Sequence, residues 1–159
     1  MKTSMFSFFL HIIYQVILLI VKYTNKELDL LARLMRAEAL GEVNLGMLMV
    51  GNVGVNRVIA NCLDFKDVRS IYDMVYQSPG GFSGTNSALF QSSSTTAEKN
   101  LAKRVIKGEY FHPATNALWF YAPGSGNSCK STGFNQANAG KYKNHCFYEP
   151  SKGTCKELH

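Results

Sequence analysis

The stretch Leu31-Ala-Arg-Leu-Met-Arg-Ala-Glu-Ala-Leu-Gly-Glu42 sets a carboxylate, Glu38, at the rim of an apolar helical face, just ahead of a glycine. A carboxyl drawn partly out of water favours its neutral form, so its pKa rises toward the range useful to a general acid. From Tyr110 through Tyr148 there is no Asp or Glu. The same span holds Trp119, Phe120, Tyr121, Phe134, Tyr142, Phe147 and Tyr148, with Asn116, Asn127, Asn135, Gln136, Asn138 and Asn144. Flat aromatic faces and amides suit sugar rings, which offer apolar C–H faces and many hydroxyls. One sheltered acid beside such a surface points to protonation of a leaving oxygen in a polysaccharide.

Ordinary glycoside hydrolysis uses two carboxyl groups roughly 5 to 10 Å apart across the scissile bond. A partner for Glu38 is hard to find. Glu42 lies one turn further on, and in a continuous helix it shares the face of Glu38 and cannot flank a sugar. A one-acid mechanism is more economical. Glu38 protonates the glycosidic oxygen, then takes a proton from the sugar's own hydroxyl as that oxygen closes a ring. That reaction is lytic transglycosylation and consumes no water; hydrolysis by a positioned water is the alternative. Phe82, Trp119, Tyr121, Asn135 and His145 are the candidate substrate-binding residues. Ser83 and Thr85 have no obvious base nearby in sequence, and a Cys62 or Cys146 dyad with His145 rests on adjacency alone.

The 159 residues carry 46% hydrophobic and 18% charged side chains, a globular balance that excludes disorder. Net charge is +6 and the sequence pI is near 9.2, which favours an anionic partner such as nucleic acid, anionic lipid or an acidic wall glycopeptide. No arginine-rich run, RNA-binding motif or zinc-finger spacing supports nucleic acid. The four cysteines, Cys62, Cys129, Cys146 and Cys155, allow two disulfides in three pairings that spacing does not rank. None forms a Cys-x-x-Cys pair, and no phosphate-binding glycine loop is present, so neither a metal nor a cofactor is expected.

Met5–Val21 is a mostly apolar run of 17 residues, with Lys2 before it and Lys22 and Lys26 after it. It stands at the lower limit of a membrane span; a membrane anchor, a signal-like segment and a helix docked on the domain all stay open. The chain therefore divides into an apolar segment, 1–23, and a domain, 24–159. Thr24-Asn-Lys-Glu27 has the form of a capping box, and Leu28, Leu31, Ala32, Met35 and Ala39 follow as one buried stripe. A second helix is predicted from Asn44 to Ala60. Its Gly46, Gly51 and Gly54 imply close neighbours, and Asn52 and Asn56 are either core amides or cleft-lining groups. Asp67 is placed as the cap of a third helix with Val68, Ile71, Tyr72 and Val75 in the core. Phe82–Ser94 reads as a polar loop, and Thr95-Thr-Ala-Glu98 as a second capping box for a helix ended by Gly108. Strands are predicted over Ala117–Ala122 and His145–Tyr148, with Phe120 and Phe147 in the core and Pro123–Asn144 as a loop between them. Helices followed by a small sheet make an α+β arrangement.

From about Leu28 to Cys155 the chain resembles the SleB/CwlJ cell-wall hydrolases of spore-forming bacteria, most closely the CwlJ branch. The matching stretches are LARLMRAEALGE, GMLMVGNVGVNRVIANCLDFKDVRSI, MVYQ, NALWFYAP and YKNHCFYEP. The cysteines also fall where that branch tends to carry them. The resemblance implies a helix-rich fold similar to lysozyme-like transglycosylases, acting on spore-cortex peptidoglycan with muramic-δ-lactam during germination. Glu38 corresponds to the catalytic glutamate of the family's Glu-Ala-x-Gly-Glu motif. A spore-coat partner, response to calcium dipicolinate, and a location at the coat–cortex boundary are further implications. Two departures stand out. Members of that branch usually begin close to the first helix, so the apolar Met5–Val21 segment adds membrane anchoring facing the wall as the alternative to coat placement, and the family's Gln-Pro-x-Ala-Phe type loop is altered to Gln77-Ser-Pro-Gly-Gly-Phe82. A non-catalytic wall-binding protein tethered to membrane or coat is the competing reading.

Overall fold

A computed structural model describes residues 20–159. Among the described residues there are five α-helices: α1 Asn25–Ala39, α2 Val43–Ala60, α3 Ile71–Val75, α4 Ala88–Gln91 and α5 Thr96–Ile106. Both predicted capping boxes are present. At α1, Thr24 N–H donates to Glu27 and Glu27 N–H to Thr24 Oγ1; at α5, Thr95 and Glu98 exchange the same pair. Most of the Met5–Val21 run lies outside the described residues. Its last two do not: Ile20 N–H donates to Ile106 O at 3.1 Å, and Val21 is buried.

α2 is the hub. It is buried on nearly every side, so its sequence is apolar all round where a surface helix would carry a single stripe. A Cβ at Gly51 would stand 3.0 Å from Met35 and Val105, and one at Gly54 3.0 Å from Met74, so these glycines let α1, α5 and α3 close on α2. Asn52 and Asn56 are core amides. Asn52 donates to Glu109 O and accepts from Phe111 N–H, while Asn56 donates to the carbonyls of Ala114, Thr115 and Ala117. They hold the incoming chain against α2 just before the sheet begins.

The sheet has four antiparallel strands: β1 Trp119–Tyr121, β2 Thr132–Gly133, β3 Gln136–Tyr142 and β4 His145–Glu149, in spatial order β1-β4-β3-β2. Disulfides pair Cys62 with Cys155 and Cys129 with Cys146. The first fastens the C-terminal tail to the end of α2, and the second fastens the β1–β2 connection to β4.

Four expectations are corrected. Pro123–Asn144 is not one loop: it contains β2 and β3, joined by Phe134-Asn135 with φ of 55° and 58°, the pair of left-handed residues a tight hairpin requires. Asp67 caps nothing; α3 begins at Ile71 with Ser70 as cap, and Tyr72 is 57% exposed where a core position was expected. The polar stretch Phe82–Ser94 is folded into a 3-10 turn, Ser83–Asn86, and α4. Phe120 is half-buried and faces a cleft, whereas Phe147 and Tyr148 are both fully buried because β4 is covered on both faces.

Candidate active site

Glu38 occupies the last turn of α1, half-buried. Its Oε1 accepts the N–H of Gly84 at 2.6 Å. That contact needs glycine: a Cβ at position 84 would lie 2.7 Å from the same oxygen and 3.1 Å from Ala37 Cβ. The chain that follows Gly84 is fastened to α1 by Arg36, two residues before Glu38 and on a different face of the helix. Its guanidinium donates to the carbonyls of Leu89, Ser92 and Ser93, to Ser92 Oγ, and to Glu98 Oε2 at 3.1 Å. Burial raises the pKa of Glu38; the Gly84 N–H and the charges of His145 and Arg57 pull the other way, and the net direction is up. The carboxyl therefore keeps its proton to higher pH than a solvated glutamate.

Glu38, Arg57, Phe82, Phe120, Tyr121 and His145 line a cleft of ≈ 320 Å³. An adjoining hollow of ≈ 250 Å³ shares Arg57 and Phe120 and adds Trp119 and Phe134. Together they make a groove with Glu38 at one end, aromatic faces along it and a second carboxylate, Asp64, in the adjoining hollow. Two larger hollows, ≈ 510 Å³ near the C-terminus and ≈ 660 Å³ beside Tyr72 and Tyr76, do not reach Glu38.

Arg57 stands between the two halves of the groove and is 5% exposed. Its Nε donates to Leu118 O at 2.8 Å and its Nη1 to Gly80 O at 3.3 Å, while the guanidinium lies 4.2 Å over the Phe82 ring and 4.8 Å over Phe65. It makes no ion pair with a described residue, so part of its N–H fork is unused. Desolvation pushes its pKa down to about 10, against the pull of Glu38 and Asp64, and it stays charged at neutral pH.

The chain does not continue as a helix from Glu38 to Glu42, and the expectation that the two share a face is corrected. α1 stops at Ala39, and a 3-10 turn over Leu40–Glu42 leads to Val43 at φ 58°, a strained setting for a β-branched residue. The turn drives Glu42 inward to 3% exposure. Its Oε1 accepts Asn144 N–H at 2.8 Å, and its Oε2 lies 2.8 Å from His145 Nδ1.

Of the residues singled out in the sequence, Glu38, Phe82, Tyr121 and His145 converge on one cleft and Trp119 lines the adjoining hollow. Asn135 is not brought there; it sits exposed in the β2–β3 turn. Arg57, Phe120, Phe134 and Gly84 belong to the site without having been singled out for it. Arg57 carried a signal, as the only charge on α2. The remaining three are set by tertiary contacts that spacing does not encode.

The sequence profile of the cell wall hydrolase family matches residues 41–148. The chain belongs to that family. The profile begins just past Glu38, so it speaks for the domain and not for that residue. Over 139 residues the chain is 53% identical to the cell wall hydrolase CwlJ of Oceanobacillus iheyensis, covering 87% of this chain and 97% of that one. It is 43% identical to CwlJ of Bacillus subtilis over 140 residues, 88% of this chain and 96% of the relative. Among solved structures, the catalytic domain of the Bacillus cereus SleB protein superposes with a TM-score of 0.62 at 22% identity, covering 82% of this chain and 96% of that domain. The catalytic domain of the germination-specific lytic transglycosylase SleB from Bacillus anthracis gives 0.61 at 21% identity, covering 80% and 97%. At such identities the likeness is one of fold: a helix-rich, lysozyme-like α+β domain with a small antiparallel sheet.

Proposed function

We propose that this cell wall hydrolase cleaves the glycan strand of spore-cortex peptidoglycan during germination, between MurNAc and GlcNAc, with Glu38 as the proton donor. One observation carries the reading: among the described residues Glu38 is the one carboxylate lining its own cleft, Asp64 lying in the adjoining hollow, and it is held there in an environment that favours its protonated form. The aromatic faces of Phe82, Phe120 and Tyr121, continued by Trp119 and Phe134, give successive sugar rings surfaces to pack on.

With one acid in the cleft, the economical course is lytic transglycosylation. Glu38 gives its proton to the glycosidic oxygen, the bond to C1 breaks, and a hydroxyl of the same sugar closes on C1 as it passes its own proton to a base in the cleft. Mass spectrometry of fragments released from spore cortex tests the bond and the course together. Anhydro-muramic ends are the expected product; reducing muramic ends would mean hydrolysis, and reducing glucosamine ends would mean the wrong bond. The same reading locates the enzyme beside its substrate, at the coat–cortex boundary through a coat partner or on the membrane through residues 5–21. Fractionation of spores from a strain with residues 5–21 deleted separates the two, since only membrane placement depends on that segment.

A further inference from the structure

The Glu42–His145 pair has the form of an oriented base, and it opens on the cleft that holds Glu38. Glu42 is 3% exposed and uses both oxygens, one on Asn144 N–H and the other facing His145 Nδ1 at 2.8 Å. The two meet at an ion-pair distance, and neither Glu42 Oε2 nor His145 Nδ1 completes a hydrogen bond of good geometry with any described residue, the other included. The ring is further held edge-on by Phe120, 5.0 Å between centroids. A carboxylate at Nδ1 keeps the proton on that nitrogen and leaves Nε2 bare. Nε2 has no hydrogen bond to a described residue and is not among the buried unpartnered atoms, and His145 lines the cleft beside Glu38. The charged and titratable groups around the ring are Glu42 on the 3-10 turn, Glu38 on α1, Arg57 on α2, Tyr121 on β1, and Tyr142, its cross-strand neighbour on β3.

We infer that His145, held by Glu42, is the proton acceptor of the reaction that Glu38 begins. The inference rests on the glycan-cleaving reading above and divides its two proton transfers between two groups. Glu38 loses its proton to the glycosidic oxygen as the C1–O bond breaks. The incoming hydroxyl, of the same sugar or of water, forms the new bond to C1 and passes its proton to Nε2. Charge ends on an imidazolium beside the Glu42 carboxylate, and solvent returns the proton from His145 to Glu38. Such a positioned base contributes about 10²–10⁴-fold.

Two measurements on the full chain test this. In ¹⁵N-histidine spectra the neutral His145 ring is expected as the Nδ1–H tautomer, and Glu42→Gln is expected to reduce that preference; an Nε2–H tautomer in the unaltered protein overturns the inference. In steady-state cleavage of cortex, His145→Gln is expected to lower kcat about 100-fold with KM and melting temperature little changed. A merely structural histidine would lower the melting temperature and leave kcat per folded molecule unchanged, and that result overturns the inference. Wild-type protein that cleaves nothing overturns both readings, whereas cleavage at the parental rate in His145→Gln overturns this one only.

Discussion

Two buried arginines on neighbouring helices mark two different kinds of place. Around Arg36 the guanidinium is closed off: backbone carbonyls of the α4 segment, a serine hydroxyl and Glu98 take up its donors, and the polar stretch after Phe82 is knotted onto α1. Around Arg57 there are two carbonyls and two aromatic faces but no paired anion, and the unused edge borders an open groove. Burying a charge without a counter-charge is costly, so a guanidinium kept in that condition points to work outside the fold's own stability. The closed knot positions; the open one faces the groove.

The sharpest way to break this contrast is to remove each cation. Arg36→Met takes the counter-charge from Glu98 and a donor from three carbonyls, and a loss of about 3–5 kcal/mol in denaturant unfolding is expected. Its activity should fall only in step with the folded fraction. Arg57→Lys should show the reverse pattern: little change in melting temperature, and about a 10- to 100-fold fall in kcat/KM, since an ammonium cannot reproduce a planar fork held between two rings. Equal losses of stability and turnover in both variants would erase the distinction.

A smaller effect separates the knot from the acid it delivers. Gly84→Ala places a methyl group against Oε1 of Glu38, and roughly a tenfold fall in kcat with KM little changed is expected from steady-state kinetics. The smallest effect is on stability. Because burial raises the Glu38 pKa above its ordinary 4.5, the unfolded chain sheds that proton first as pH rises, and the folded state loses stability through that window. Glu38→Gln keeps an acceptor for Gly84 N–H without the charge. It should melt slightly higher than the parent at pH 7 and identically below the ordinary carboxylate range, as scanning calorimetry at the two pH values would show.

What could be read from the chain before folding follows from what local sequence encodes. Capping boxes at Thr24 and Thr95 and the stripe from Leu28 to Ala39 depend on neighbours a few residues apart, and they fix α1 and α5 directly. Glu38 was legible for the same reason, as the rim residue of a periodic helix. Asn135 was misplaced because composition announces a sugar-facing surface without saying which side chains turn outward. β2 and β3 were missed because Thr-Gly and Gln-Ala-Asn-Ala-Gly-Lys-Tyr pair through their backbones, with little of the apolar alternation that marks a strand. Glu42 was misjudged by extending a helix through Gly41, where the chain in fact tightens and turns its carboxylate toward a histidine a hundred residues away.

The account stands or falls on the proton held by Glu38. Release of glycan fragments from purified spore cortex, measured side by side for the parent chain and for Glu38→Gln at equal folded concentration, tests it most directly. A fall of roughly 10²–10⁴-fold with cortex binding retained is the predicted result; release at the parental rate would contradict it.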